Sequence, residues 1–568
     1  MRERGRLPVA LPVTVAATIL ACVVTFPLVL HLGSAIYGTP GDSTGAIATF
    51  WWWSYAIQHG KPLLDNTMWG APFGAGWSQV PFAVLPLLVF TPLSLAFGPT
   101  VAYNLGVLSS FPLTALFTYL LARRLQLSPL AASFSAIAFA FTPYHQEKAT
   151  GHMVQAHMEL FPALLLFLVR WWQGGSRWNL VAAGAVVGLG VWTDYQFAFI
   201  MVFLTAAFFI VSLVLPGARY PSFTGRVRAH AAGALATLAG LLPFLPPAVL
   251  LAHRPGSSGS LASAATLFPR TLGDIDIYSV RPWEYLMPWS VNPLVPQAIR
   301  QFQAQHLHGS NGVEQAQVLG YSVMLLGLLA VLFFRPRFPV VLGLAMMFTG
   351  GLLALPAHVH LLGSTLPGPA VLLNHVVPFI RVYARFGILV MLGATLLAGL
   401  GFAVAQGWVD ARGLAWLMVV PFILLALEFN RLPPTYTTTL FPAPDEYGWL
   451  SHQPPGILIE YPVVVTTNAQ EVAGRQYTLY QQVHLHPLFN GAAPGSPADV
   501  VAATLDPFYA PGVAARLQAL GIRYVFVHRN DYESAGYGLP RAVEGLEYIG
   551  SYDNGGVDAF VVSGTGSG

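Results

Sequence analysis

The sequence contains few charged residues. Asp, Glu, Lys and Arg make up 9% of the 568 residues, whereas soluble domains contain about 25%. At the same time 55% of the residues are apolar, and several apolar runs are long enough to cross a bilayer. This composition excludes an ordinary soluble protein and predicts a polytopic α-helical membrane protein.

Cysteine is nearly absent as well. The chain contains only Cys22, so it offers no partner for a disulfide within the chain and no cysteine cluster for a metal ion. Lysine is represented only by Lys61 and Lys148, and arginine therefore carries most of the positive charge.

The charge that is present is divided unevenly along the chain. Residues 440–568 contain five Arg, no Lys and twelve acidic residues, a net charge of −7. The first 439 residues contain 22 basic and 12 acidic residues, a net charge of +10. We therefore interpret residues 1–431 as a membrane domain and residues 432–568 as a polar domain outside the bilayer.

About eleven apolar runs predict membrane-spanning helices. They cover residues 7–30, 101–122, 129–143, 158–171, 179–193, 198–215, 231–252, 317–334, 339–356, 386–405 and 413–430. A further run, Pro81–Phe97, contains three prolines and is barely long enough to cross. We interpret it as a re-entrant or juxtamembrane segment, which is tolerated at membrane depth where protein or water covers it.

The arginines of the short loops predict the orientation. With Pro81–Phe97 not crossing, thirteen Arg fall in short loops on one side, beginning with Arg2, Arg4 and Arg6. The positive-inside rule then places this side and the N-terminus in the cytoplasm. The predicted outer pieces are the large loops 32–100 and 253–316, the loops 144–157 and 357–384, and the C-terminal domain.

The ionisable residues of the membrane domain are concentrated in these outer pieces. A carrier or pump usually places such groups near the middle of the bilayer and often contains an internal repeat, and we find neither pattern in the sequence. We therefore expect any chemistry to take place at the outer surface.

The C-terminal domain has the pattern of a small α/β fold. Short apolar runs at Ile457–Val465, Tyr524–His528 and Ala559–Val562 predict strands, and Val500–Leu520 predicts a helix. The domain lacks a Gly-rich phosphate loop and a nucleophile elbow. We expect it to cover the active cleft or present an acceptor; Tyr480, His484 and Asn490 fit ligand contact and strand-edge packing equally well.

Several short motifs, in their order along the chain, resemble those of the GT-C membrane glycosyltransferases. They are Gly41-Asp42-Ser43 after the first span, the aromatic stretch Thr49–Trp53, the Pro-rich apolar segment, and Phe141–Tyr144 at the second outer loop. Four further stretches are similar to the bacterial YfhO-like branch: Tyr278–Tyr285, Leu366–Pro369, Arg381–Phe386 and Leu520–Val527.

This resemblance implies a GT-C-like protein of a bacterial plasma membrane. It implies inverting transfer of a sugar from a polyprenyl-phosphate-linked donor to an outer-face acceptor, which is a cell-envelope glycan, lipid or protein, with an outer-loop acid as general base. Membrane lipids are expected partners and nucleic acid is not. GT-C enzymes often have a second acid beside the first, but here Ser43 follows Asp42. The candidate base therefore has no evident partner carboxylate to hold a metal ion with it, so no cofactor is assigned and a divalent cation is left open.

Asp42 has two interpretations. Between a span and an aromatic helix, an Asp can cap the helix by accepting hydrogen bonds from backbone N–H groups, with Ser43 and Thr44 as competing caps. With the family resemblance, Asp42 is the candidate general base that removes the proton of the acceptor hydroxyl. The two roles are compatible.

The second outer loop concentrates ionisable side chains. Its candidates for substrate binding are His145, Glu147, Lys148, His152 and Glu159. Lys148 and His152 would stabilise the phosphate leaving group and Glu147 or Glu159 would be a second acid, whereas the alternative is polar tips of interfacial side chains reaching water. The spacing of His152 and His157 is poor for a metal site.

Further candidates lie later in the chain. Arg381 and Arg385 are four residues apart on what should be the start of a helix, and two guanidinium groups there would grip a phosphate; the alternative is interfacial snorkelling. Arg281 and Glu284 would orient a sugar hydroxyl or pair with each other, and Glu314 would cap a span or contact the ligand.

Three less specific features complete the candidates. The Asp274-Ile275-Asp276 sequence imitates a nucleotide-sugar motif but is more often a solvated loop. Asp194 interrupts an apolar hairpin, where a charge needs water or a partner, and a turn-forming role explains it most simply. The alternating His pairs (306/308, 358/360, 484/486) are interpreted as structural or incidental.

Two further functions fit the same residues. The first is a non-enzymatic protein that binds or transports a lipid-linked glycan, with the basic groups holding its phosphate. The second is a catalytically inactive scaffold of this fold, which the missing second acid would favour.

Overall fold

The computed structural model describes most of the chain. The described residues are 7–76, 83–215, 222–247, 271–306, 312–314, 316–361, 363–378, 380–432, 437–464, 468–491 and 496–564. Arg2, Arg4 and Arg6, part of the predicted Pro81–Phe97 segment, the end of the 231–252 run, part of the 253–316 loop, and His308 lie outside them.

Helices dominate the described residues. In chain order they are α1 (Leu7–Val24), α2 (Asp42–His59), α3 (Val84–Phe97), α4 (Pro99–Arg124), α5 (Pro129–Ala140), α6 (Pro143–Ala149), α7 (Met153–Ala156), α8 (Leu160–Trp172), α9 (Trp178–Thr193), α10 (Tyr195–Val214), α11 (Phe223–Leu241), α12 (Leu272–Ile277), α13 (Gln297–His306), α14 (Tyr321–Phe333), α15 (Arg337–Leu353), α16 (Pro369–Val376), α17 (Gly387–Asp410), α18 (Val420–Glu428), α19 (Asp445–Leu450), α20 (Asn468–His484), α21 (Pro497–Ala502), α22 (Val513–Ala519) and α23 (Arg529–Ser534).

The strands are short and fall into separate small sheets. They are β1 (Ala35–Tyr37), β2 (Asp65–Asn66), β3 (Ala75–Gly76), β4 (His358–Leu361), β5 (Ser364–Pro367), β6 (Thr437–Thr439), β7 (Ile457–Tyr461), β8 (Ile522–His528), β9 (Leu546–Tyr552) and β10 (Val557–Val562).

An apolar helix occupies each position where the sequence predicts a span. Among the described residues, five helical segments are long and apolar enough to cross a membrane by length and composition: 99–124, 153–172, 195–214, 223–247 and 383–410. The remaining predicted spans coincide with shorter apolar helices. The number of spans, and the re-entrant placement of α3, stay predictions.

Helix α17 is the centre of the helical bundle. It packs against α5, α14 and α15, and its residues from Gly387 to Phe402 are all buried. A Cβ atom at Gly401 would lie 1.7 Å from the backbone oxygen of Leu326 in α14. Only glycine permits this close approach of two helix backbones, as is usual where apolar helices pack without a hydrophobic driving force.

The C-terminal region contains a four-stranded mixed sheet. Its strand order is β7-β8-β10-β9, with β7 parallel to β8 and the other pairs antiparallel. This confirms a small sheet domain at the C-terminus. The continuous helix predicted over Val500–Leu520 is wrong: α21 and α22 are separate helices, because Pro507 and Pro511 between them cannot continue a helix.

The C-terminal region docks on the first outer loop. Strand β1 pairs antiparallel with β6, and the backbone N–H of Leu488 donates to the carbonyl of Met68 at 2.8 Å. Helix α20 packs along α2. The first outer loop and the C-terminal domain therefore lie on one side of the helical bundle, and this docking positions the residues around Asp42.

Candidate active site

Asp42 is the first residue of α2, and its carboxylate points to side chains rather than to the helix backbone. One carboxylate oxygen, Oδ2, lies 3.0 Å from Nε2 of His152, and the other, Oδ1, contacts the guanidinium of Arg475 in α20. Ser43 and Thr44 donate their hydroxyls to preceding carbonyls instead of capping the helix. The capping role predicted for these residues is not found among the described contacts.

Arg475 is a site residue that the sequence analysis missed. It lies more than four hundred residues after Asp42 in the chain, and α20 brings it back onto α2, where its side chain packs 3.8 Å from the position of a Cβ at Gly45. No local pattern distinguishes it from the other four arginines of the C-terminal domain. Only the docking of α20 against α2 identifies it.

The short helices α6 and α7 hold His152 beside Asp42. Pro143 at the first position of α6 and Thr142 as its cap, which accepts from the backbone N–H of His145 at 3.4 Å, start the helix. The backbone N–H of His152 then donates to the carbonyl of Lys148 at 2.8 Å. Burial and the nearby Lys148 charge lower the pKa of His152 to about 3, so His152 is neutral at physiological pH and its Nε2–H donates to Asp42.

Lys148 belongs to a buried group of ion pairs. Its Nζ lies 2.5 Å from Oε1 of Glu314. Arg385 contacts the same oxygen at 3.4 Å and Oδ2 of Asp194 at 3.2 Å. None of the four side chains is more than about a tenth exposed, and two cations face two anions, so the group is electrically neutral.

Polar neighbours complete this ion-pair network. Gln196 accepts from Arg385 at 2.8 Å, Gln155 donates to Asp194 at 2.9 Å, and the Tyr144 hydroxyl is 3.5 Å from Glu314. Asp194 also accepts from the backbone N–H of Gln196 at 2.8 Å and so caps α10. The turn-forming role predicted for Asp194 is present, but its pairing with Arg385 is additional.

Burial and the ion pairs together shift two pKa values strongly. Burial raises the pKa of Glu314, but the Lys148 and Arg385 charges outweigh this and bring it to about 2. Burial lowers the pKa of Lys148 to about 8, against the opposing effect of Glu314. The carboxylate of Glu314 is therefore ionised at neutral pH.

A second polar group surrounds Glu147. Trp289 donates from its indole Nε1 to Oε1 of Glu147 at 3.2 Å, and a guanidinium nitrogen of Arg431 lies 3.5 Å from the same oxygen. Arg431 also lies over the rings of Trp289 and Tyr37, 5.3 and 5.5 Å from their centroids. Burial raises the pKa of Glu147 in spite of Arg431. Trp289 and Arg431 were not predicted as site residues.

The other candidates of the second outer loop have local partners. His145 is fully buried, with Nε2 2.9 Å from the Ser110 hydroxyl and its ring stacked on Phe111. Glu159 pairs with His157 at 2.9 Å. Both side chains are buried and paired within the protein, so the interfacial alternative, in which their polar tips reach water, does not describe them. Their roles in substrate binding stay predictions.

Arg381 and Arg385 do not share a helix face, contrary to the expectation from their spacing. Helix α17 begins only at Gly387, and Tyr383–Phe386 forms a 3-10 turn before it. Arg385 is therefore directed into the ion-pair network, while the guanidinium of Arg381 lies 4.5 Å from the centroid of the Tyr278 ring and is half-buried.

The remaining candidates of the later outer loops bind to other groups of the protein. Glu284 accepts from the backbone N–H of Arg281 at 2.8 Å. Asp274 forms a capping box with Thr271 at the start of α12, and Asp276 pairs with His358 at 2.5 Å. Among the described residues no three His, Cys, Asp or Glu side chains are arranged to hold a metal ion.

The three ligand candidates of the C-terminal domain take part in packing. The Tyr480 hydroxyl donates to the carbonyl of Leu440, and the amide of Asn490 bonds the backbone of Glu460. His484 stacks on Tyr447. These contacts match the packing alternative.

The comparisons with known proteins place the fold. No protein-family model and no curated protein matches the sequence. The structure is similar to the archaeal oligosaccharyltransferase AglB from Archaeoglobus fulgidus in complex with an inhibitory peptide and a dolichol-phosphate, at 13% identity over 91% of this chain and 69% of that chain, with a TM-score of 0.51. It is also similar to ArnT from Cupriavidus metallidurans bound to undecaprenyl phosphate, at 12% identity over 100% of both chains, with a TM-score of 0.50.

These likenesses define a class of fold. The chain has the fold of the GT-C membrane glycosyltransferases, as its motif order predicts. With its apolar helices, this makes it an integral membrane protein. At such low identity the likeness concerns the fold alone.

Proposed function

We propose that this protein transfers a sugar from a polyprenyl-phosphate-linked donor to an acceptor outside the cytoplasm, with Asp42 as general base. The observation that carries the proposal is the position of the Asp42 carboxylate, half-exposed at the start of α2 between Arg475 and the neutral His152. An ionised, oriented and accessible carboxylate is what a general base requires. The likeness to solved structures that contain dolichol-phosphate and undecaprenyl phosphate supports this class of donor.

In the proposed reaction the Asp42 carboxylate takes the proton of the acceptor hydroxyl. The hydroxyl oxygen attacks the anomeric carbon from the face opposite the phosphate, the bond from this carbon to the phosphate oxygen breaks, and the lipid phosphate leaves with the electron pair. The anomeric configuration is therefore inverted. His152 and Arg475 hold the carboxylate in place.

The phosphate contacts of the donor are part of the proposal. Arg381, which is half-buried on the Tyr278 ring, is a suitable group for the lipid phosphate. Lys148 and Arg385 are already neutralised by Glu314 and Asp194, so we assign them to positioning the loop that carries His152. From the motifs we further propose that the protein belongs to the YfhO-like branch and that its acceptor is in the cell envelope. From the charge distribution we propose that its C-terminal domain faces outward.

The substitution Asp42→Asn tests the general base. The purified protein is assayed with an undecaprenyl-phosphate-linked sugar and a membrane extract as acceptor source, and binding of undecaprenyl phosphate is measured in parallel. We expect loss of transfer with retained lipid binding, because Asn keeps the shape but cannot accept the proton. The Asp65→Asn variant, at another acid of the 32–100 loop, is the control. Unchanged transfer by Asp42→Asn would refute the assignment, and lipid binding without transfer by the wild-type protein would favour a glycan-binding protein.

A further inference from the structure

A cavity with a mixed polar and apolar lining adjoins the candidate base. Its volume is ≈ 270 Å³. Gly38 and Thr39, which precede Asp42, form one wall, and Thr150, which precedes His152, forms another. The Ser43 hydroxyl donates to the carbonyl of Thr39 at 3.2 Å, so this wall is joined directly to the first turn of α2.

The side chains that line the cavity combine an aromatic ring with several polar groups. The charged and aromatic residues are Glu147, Glu284, Arg431 and Trp289. Gln303 of α13 adds an amide whose Nε2 donates to the carbonyl of Pro288 at 2.6 Å. Its Oε1 is buried without a hydrogen-bond partner among the described residues. A buried acceptor without a partner costs free energy, which a ligand that donates to it would recover.

The charges of the lining disfavour an anion. Two carboxylates and one guanidinium line the cavity, and this guanidinium is already 3.5 Å from Glu147. A phosphate or a carboxylate ligand would therefore meet more negative than positive charge. A neutral ligand with many hydroxyl groups meets no such penalty, because each hydroxyl donates one hydrogen bond and accepts others.

The size of the cavity restricts the ligand further. Small-molecule sites usually have volumes of about 300–1,000 Å³, and this cavity, at ≈ 270 Å³, is slightly smaller than that range. It suits one sugar ring better than a peptide segment. The apolar face of a sugar ring packs on an aromatic side chain, and Trp289 supplies one.

We infer that this cavity binds the neutral sugar ring of a substrate, next to the Asp42 carboxylate. The inference rests on the proposed function for the role of that sugar, which belongs either to the acceptor glycan or to the lipid-linked donor. Gln303 and Trp289 are the specificity-determining residues. The sugar is held by hydrogen bonds to Gln303, Glu147 and Glu284.

The test uses the full-length protein in detergent micelles with methyl glycosides of glucose, galactose, mannose and N-acetylglucosamine as probes. Binding is measured by saturation-transfer NMR. Gln303→Met removes the acceptor at constant shape, and Ala316→Phe fills the cavity without removing a polar group. We expect at least one glycoside to bind. Gln303→Met should weaken its binding about tenfold, the loss expected for one good hydrogen bond, and Ala316→Phe should weaken it at least as much by occupying the space of the sugar ring. Gln305→Met, on the exposed side of α13, is the matched control.

Displacement identifies the source of the sugar. If an undecaprenyl-phosphate-linked sugar displaces the glycoside and undecaprenyl phosphate alone does not, the cavity holds the donor sugar; if neither displaces it, the cavity holds the acceptor. The inference is refuted if no glycoside binds, or if both cavity variants bind it like the wild type. Glycoside binding that is lost in both variants, in a protein that transfers no sugar, would refute the proposed function and leave the cavity assignment intact.

Discussion

The buried pair of Lys148 and Glu314 provides a quantitative test of the ion-pair network. At the Nζ–Oε1 distance of 2.5 Å, an effective dielectric constant of about 20 gives an attraction of about 7 kcal/mol. Most of this compensates for desolvation of the two charges. The fall in the pKa of Glu314 from 4.5 to about 2 corresponds to a net stabilisation of its charged form by about 3 kcal/mol. Removing one partner of a buried pair usually costs about 3–5 kcal/mol of stability, which is of the same size.

We therefore expect Glu314→Gln to lower the free energy of unfolding by about 3 kcal/mol. Lys148→Met should cost less, because Glu314 keeps Arg385 as a partner at 3.4 Å. The double variant should recover a large part of the summed cost, since it leaves no unpaired charge and keeps the pair of Arg385 and Asp194. Lys61→Met, at the one other lysine of the chain and exposed, is the matched control.

The stability of the Glu314→Gln variant should also change with pH in a defined direction. Without Glu314 the pKa of Lys148 in the folded protein falls below its present value of about 8, further below the 10.5 of the unfolded chain. The unfolded chain then binds more protons, so the stability of Glu314→Gln should rise with pH from below neutrality. Unfolding in mixed SDS–detergent micelles between pH 6 and 9 measures this. Strict additivity of the two single variants, or a pH-independent deficit in Glu314→Gln, would refute the reasoning.

Three further predictions concern the first outer loop and the C-terminal domain. Arg475→Ala should lower kcat for sugar transfer by about tenfold or more, as expected for a lost charged hydrogen bond, with little change in the donor KM, whereas Arg516→Ala at an exposed position should not. Gly38→Ala should lower the melting temperature more than Gly98→Ala does, as measured by thermal unfolding of both variants. Both glycines have positive φ, where an alanine costs about 1–3 kcal/mol of strain. Only at Gly38 would the new Cβ also overlap a backbone oxygen. Burial raises the pKa of Glu446 to about 7 from 4.5, so between these values the folded protein retains a proton that the unfolded chain loses. The stability should therefore fall as pH rises from about 4.5 to 7. In Glu446→Gln the melting temperature should change less over this interval, and an equal change in both proteins would contradict the prediction.

The helical part of the fold could be predicted because the bilayer imposes a simple rule on the sequence. Residues that face hydrocarbon or other apolar helices must be apolar over a fixed length, and the runs such as 386–405 follow that rule. The number and orientation of the spans are harder, since helices such as α5 are short and their ends depend on neighbouring helices.

The site was only partly predictable, because ion pairs are formed between distant parts of the chain. Lys148 and Glu314 are both visible as charges in outer loops, but nothing near either residue identifies the other as its partner. The spacing of Arg381 and Arg385 predicted a shared helix face, and this was wrong because the helix starts later. Arg475 was missed for the same reason, since only tertiary packing brings it to Asp42.

The docking of the C-terminal domain explains how the position of Asp42 is fixed. The loop before α2 contains a short 3-10 helix, Leu28–Leu30, and the three-residue strand β1. A two-stranded pair such as β1 with β6 is marginally stable alone. Asn104 in α4 donates to the carbonyls of Leu32 and Ala35, at 2.8 Å each, which anchors the start of this loop to the bundle. The strand β6 pairs with β1, and Val472 of α20 packs near Gly41, so both halves of the chain contribute to where the carboxylate lies. A site that is supported from two sides in this way holds its reactive group more rigidly than a loop alone, and the C-terminal domain, through Arg475, is therefore part of the candidate site.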